Sequence, residues 1–138
     1  MSSDTTTRPI HHGGCLCGGV RYSVHGALRD VVACHCSQCR RTSGHYVAAT
    51  SARGVDVHLE SAATLAWYRS SDSAERGFCA TCGANLFWRR TAPGTREISI
   101  MAGTLDVPTG LRLALHIFVA DRSDYYELND GVPQKAAW

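Results

Sequence analysis

Cys34-His35-Cys36-Ser37-Gln38-Cys39 places three thiols within six residues. Two shorter clusters flank it, Cys15-Leu16-Cys17 and Cys79-Ala80-Thr81-Cys82. Residues this close in sequence are poorly placed for disulfides with one another. A Cys-x-x-Cys turn instead brings two sulfurs to one ion and aims backbone amides at the thiolates. Gly18-Gly19 follow the first pair and Gly83-Ala84 the second, small residues that permit a tight knuckle. Seven cysteines is an odd number, so a fully paired disulfide framework within the chain is excluded.

A closed tetrahedral site takes four ligands, and seven thiols divide as four plus three. The favoured division joins Cys15, Cys17, Cys79 and Cys82 in a structural zinc site, where a metal closes a long loop. It leaves Cys34, Cys36 and Cys39 as three corners of a second, open site. Two zinc ions per chain are therefore expected. Alternatives stay open at this level: one outer pair combines with part of the trio, or all seven thiols are structural. In the second case His35 or His45 would complete the trio's site. An iron–sulfur cluster is a further alternative, although redox-inert zinc suits mixed closed and open thiolate sites better.

Three protein ligands and an open fourth position form the pattern of a catalytic zinc site. Three thiolates and one divalent ion carry a net charge of −1. Such a zinc is a weaker electrophile than one held by three histidines, and it leaves bound sulfur electron-rich. That character suits thiolate chemistry better than peptide hydrolysis.

Outward from the cysteines, 138 residues with 44% hydrophobic content suit one compact domain. Residues 1–12 read as a flexible leader, with His11 and His12 given no role, and residues 13–138 as a single zinc-binding domain. Strand-like runs follow at Val20–Val24, Val47–Thr50, Val55–Leu59, Leu65–Arg69, Gly77–Cys79, Asn85–Arg89, Glu97–Met101 and Leu113–Val119. His25-Gly26, Arg53-Gly54, Ser70–Ser73, Ala92-Pro93-Gly94 and Asp130-Gly131 punctuate them as turns. One helical turn is predicted over Ser37–Ser43 with Ser37 as its N-cap, and a weaker one around Pro108–Leu113. The pattern is all-β and mainly antiparallel, with few short helical turns. Small β domains of this kind often recruit a structural metal.

Fourteen Lys and Arg against 12 Asp and Glu leave a formal charge of +2, too balanced for a nucleic-acid binder. Seven thiolates and two divalent ions would turn that +2 into −1. No signal-peptide core and no apolar run of membrane-spanning length occur, so the expectation is a cytoplasmic protein with reduced cysteines. His45, six residues past Cys39, reads as a hydrogen-bonded histidine at a helix end or as a proton shuttle. Arg40 and Arg41 read as solvated charge, or as the offset to the anionic cluster. His116, in an apolar strand, reads as a buried histidine with a backbone partner. Trp67, Tyr68, Phe87, Trp88 and Phe118 read as core, and Asp121–Asp130 as a surface turn in which Tyr125 and Tyr126 could help cover an interface.

Taken together, Gly14–Tyr22 (GCLCGGVRY), Cys34–Gly44 (CHCSQCRRTSG) and Gly77–Gly83 (GFCATCG) resemble the glutathione-dependent formaldehyde-activating enzyme family. Ile98–Leu105 (ISIMAGTL), His116-Ile117-Phe118 and Asp130–Pro133 extend the resemblance across about Gly13 to Pro133. At His45-Tyr46-Val47 the chain differs from many members, which carry a small residue, Pro and an aromatic there. The resemblance implies a zinc-stapled β-tent fold, with the outer pairs (Cys15, Cys17, Cys79, Cys82) at a structural zinc and Cys34, Cys36 and Cys39 at a catalytic zinc. It also implies a carbon–sulfur lyase that joins formaldehyde to the glutathione thiol as S-hydroxymethylglutathione. The implied partners are a small thiol such as glutathione and a small aldehyde. The competing expectation is a non-catalytic, zinc-stabilised binding or chaperone-like module.

Overall fold

The structure, a computed structural model, describes residues 10–138. Strand β2 (Val20–Val24) is the middle of a three-stranded antiparallel sheet, flanked by β1 (His11–Gly14) and β5 (Val57–Ala62). Seven strands build the second sheet: β3 (Val31–Cys34), β4 (Val47–Arg53), β6 (Leu65–Ser71), β7 (Ala74–Cys79), β8 (Asn85–Arg90), β9 (Glu97–Met101) and β10 (Leu113–Ile117). Their spatial order is β10-β3-β4-β9-β8-β7-β6, antiparallel throughout except for the parallel pair β10–β3. Helix α1 (Ser37–Ser43) fills the connection from β3 to β4, and short 3-10 turns cover Gly54–Asp56, Ala102–Thr104 and Val119–Asp121.

Alternation in the sequence explains how the two sheets meet. Val20, Tyr22 and Val24 of β2 are fully buried and pack with Ala52, Leu86, Phe87 and Ile100 of the large sheet. Tyr22 meets Phe87 edge-on at 5.3 Å between ring centres, a geometry that aromatic quadrupoles favour. Cys15 and Cys79 belong to this same core cluster, so the sheets are joined by apolar packing and by sulfur at one edge. A second, smaller cluster of Cys39, Val47, Ala49 and Met101 lies beneath α1, with Cys34, Cys36 and Trp88 against it.

Several expectations need correction. His11 and His12 are not part of a leader: they pair with Val24 and Ser23 in β1, while residues 1–9 of the predicted leader lie outside the described residues. Strand β3 was not foreseen, because Val31–Cys34 is short and runs directly into the thiol trio. The turn expected around Pro108–Leu113 is irregular chain, since Gly110 at φ +71° leaves the right-handed helical region. Tyr68 is 61% exposed rather than core, on edge strand β6.

Candidate metal centres

The four outer cysteines converge as the spacing predicts. The sulfurs of Cys15, Cys17, Cys79 and Cys82 all lie within 4.8 Å of one another, although Cys17 and Cys79 are 62 positions apart. Cys15–Cys17 and Cys17–Cys79 sulfur separations are both 3.7 Å. A disulfide would need about 2.05 Å, whereas a tetrahedron with zinc–sulfur bonds of about 2.3 Å has sulfur–sulfur edges of about 3.8 Å. The donor set therefore fits a tetrahedral zinc ion.

Local backbone geometry accounts for this convergence. Gly18 (φ +86°) and Gly83 (φ +79°) occupy the left-handed region immediately after Cys17 and Cys82, turning each knuckle back on itself. Backbone amides then point at sulfur: Val20 N–H donates to Cys15 Sγ at 3.2 Å and Cys82 N–H to Cys79 Sγ at 3.3 Å. The Thr64 hydroxyl lies 3.1 Å from Cys79 Sγ. The Cys79 thiol is pulled down to about 5, first by the Cys82 amide and then by Thr64, against the opposing effect of burial.

The trio is local. Cys34 ends β3, Cys36 is the N-cap of α1, and Cys39 lies in its first turn. Ser37 is thus not the cap; Cys36 Sγ accepts the Cys39 N–H at 3.3 Å and takes that place. Gly44 at φ +88° closes the helix, its N–H donating to Arg40 O. The three sulfurs lie within 4.8 Å of one another, and among the described residues no histidine or carboxylate joins them. They fit three corners of a zinc tetrahedron. Cys39 is pulled down to about 6, first by its contact with Cys34 and then by Cys36 and the Arg76 guanidinium, despite burial. Cys34 is raised correspondingly, first by the same contact and then by burial. One sulfur in each cluster is therefore set up to ionise first.

His35 and His45 do not provide the trio's fourth corner. Between Cys34 and Cys36, His35 turns away from the thiols and is 1% exposed. Its Nε2 is 2.9 Å from His116 Nδ1, its Nδ1 is 2.5 Å from the Tyr126 hydroxyl, and His116 Nε2 is 2.8 Å from Asp130 Oδ2. A carboxylate can only accept, so for neutral rings one direction is consistent: Tyr126 donates to His35, His35 to His116, and His116 to Asp130. His116 is buried as expected, but its ring partners are side chains. Burial pushes the His35 imidazole down to about 4, with His116 and His45 adding to the effect. His45 Nδ1 pairs with the Tyr125 hydroxyl, the hydrogen-bonded role at a helix end.

Sequence reasoning missed this network because its members come from the link between β3 and α1, from β10 and from the 121–130 segment, which read as a surface turn. It also missed Arg76 on β7, which is 5% exposed and donates from Nη2 to Cys39 Sγ at 3.8 Å. Neither carries a local motif. Arg40 is half-buried and Arg41 exposed, and neither forms a salt bridge among the described residues.

Similarity to known proteins agrees with this geometry. An uncharacterized lyase of Schizosaccharomyces pombe is 26% identical over 120 residues, 86% of this chain and 85% of the yeast protein. A Rhodobacter sphaeroides protein of known crystal structure superposes with a TM-score of 0.60 at 25% identity, covering 89% of this chain and 98% of that one. The family model for the glutathione-dependent formaldehyde-activating enzyme matches residues 10–121, a span that holds all seven cysteines. The chain belongs to the glutathione-dependent formaldehyde-activating enzyme family.

Proposed function

We propose that this protein is a zinc-dependent carbon–sulfur lyase that adds a small thiol to a small aldehyde and reverses that addition, with glutathione and formaldehyde as the pair the family description names. The observation that carries the reading is the trio: three half-buried or buried sulfurs at one site, with no fourth protein ligand among the described residues. In the forward direction the sulfur–carbon bond forms, the carbonyl π bond opens, and the thiol proton ends on the former carbonyl oxygen. When bound, zinc would supply Lewis acidity and stabilise thiolate at neutral pH.

The chain's own residues would do the rest. Cys34, Cys36 and Cys39 would hold the open ion, and Cys15, Cys17, Cys79 and Cys82 the structural one. The α1 N-terminus fixes the trio, because Cys36 and Cys39 are tied by a cap hydrogen bond and Cys39 O accepts the Thr42 and Ser43 hydroxyls. Seven unpaired thiols suit a reducing compartment such as the cytoplasm. No described helix is long and apolar enough to cross a membrane.

Exchange between glutathione and formaldehyde, followed by NMR with the protein carrying two zinc ions, tests the reading. The expected result is exchange faster than the uncatalysed background, lost in a Cys36→Ser variant that stays folded. Background-rate exchange with both sites loaded would overturn it. A Cys36→Ser chain that unfolds would favour the non-catalytic zinc module.

A further inference from the structure

Arg76 carries a buried guanidinium. Among the described residues no Asp or Glu oxygen lies within 4 Å of it. Its neighbour on β7, Glu75, is taken up by Arg89 at 2.7 Å on the opposite face of the strand. Arg76 Nη2 donates to Cys39 Sγ at 3.8 Å and makes a long contact of 3.4 Å to Gln38 Oε1, while its buried Nε has no partner among the described residues. An arginine keeps its proton in any such setting, and a desolvated cation without an anion is costly. The trio is the anion that lies against it.

We propose that Arg76 is the counter-charge of the trio and makes the open corner selective for an anionic sulfur ligand, a proposal that rests on reading that corner as the place where a thiol binds. Three thiolates and a divalent ion sum to −1, and a fourth thiolate would take the centre to −2. With Arg76 counted, the same two states are 0 and −1. At low dielectric the second anion is the one whose entry depends on the cation. A neutral ligand leaves the charge unchanged, so Arg76 contributes little to its binding. Strand β7 thus serves both centres, presenting Cys79 to the closed site and Arg76 to the open one.

Cobalt(II) substitution of the full chain reads this without measuring turnover. The probes are 2-mercaptoethanol, which carries no other charge, and imidazole, each titrated while the cobalt absorption is followed. The closed four-sulfur site adds a constant background. Replacing Arg76 by an apolar side chain of similar length removes the charge without leaving a void, so Arg76→Met is the test variant. Its expected affinity for the thiol is about tenfold lower or more, with imidazole binding within about twofold of the parent chain. Arg76→Lys should recover most of the thiol affinity. Unchanged thiol binding in Arg76→Met would overturn the proposal, as would equal loss of both ligands or unfolding of both variants. A parent chain that binds neither probe would instead defeat the open-corner reading on which the proposal stands.

Discussion

Cys34, His35 and Cys36 divide three consecutive side chains between two chemistries. The thiols face Cys39, Val47, Ala49 and Met101, and the imidazole faces His116, Tyr46 and Tyr126. His35 has a consequence for stability. Its folded value of about 4 lies below the ordinary 6.5, so between these limits the unfolded chain binds more protons than the folded one. Stability from keeping His35 neutral is present above pH 6.5 and is lost as the pH falls from 6.5 towards 4. The loss is on the order of 3 kcal/mol. Thiolate protonation acts in the same range, so the measurement is a difference. Denaturant unfolding of the parent and His35→Gln should show the parent's slope against pH steeper by up to one proton. Parallel slopes would contradict this account. The cysteine clusters were readable because short spacings bring neighbouring sulfurs together locally. His35, Arg76 and Tyr126 were not, because each meets a partner from a distant part of the chain.

At the scale of the element, the knuckles and α1 are built from local rules. Gly83 sits at φ +79° with no atom within 4 Å of where a Cβ would stand, so the cost of substitution there is backbone conformation alone. Gly83→Ala should lower stability by about 1–2 kcal/mol, and Gly83→Asn by less, since Asn tolerates this region better. Equilibrium unfolding of the zinc-loaded protein checks the order, and equal losses would point to steric crowding instead. Seven runs foreseen as strands, from Val20–Val24 to Glu97–Met101, keep their places with small changes at the ends, and α1 covers the predicted Ser37–Ser43. What failed locally was Pro108–Leu113, where Gly110 carries a backbone angle that helical propensity does not register.

Across the whole molecule, the two cysteine clusters differ in what they hold together. The outer cysteines span positions 62 apart and adjoin both sheets, whereas the trio stays within β3 and α1. Closing the long loop belongs to folding itself. Cys79→Ser should therefore cost several kcal/mol and broaden or abolish the thermal transition, while Cys36→Ser should cost no more than about 1–2 kcal/mol. A chromogenic chelator should remove zinc in two steps, the trio's ion first, and single-step release of both would contradict the division of roles. The favoured four-plus-three grouping of the thiols, the all-β class and the family were legible in the chain alone, because ligand spacing and period-two alternation are local properties. Only the tertiary structure places the Arg76 guanidinium against the Cys34, Cys36 and Cys39 thiols and runs a chain of hydrogen bonds from Tyr126 through His35 and His116 to Asp130. Those pairings depend on sheet order and register, and no short stretch of the chain encodes them.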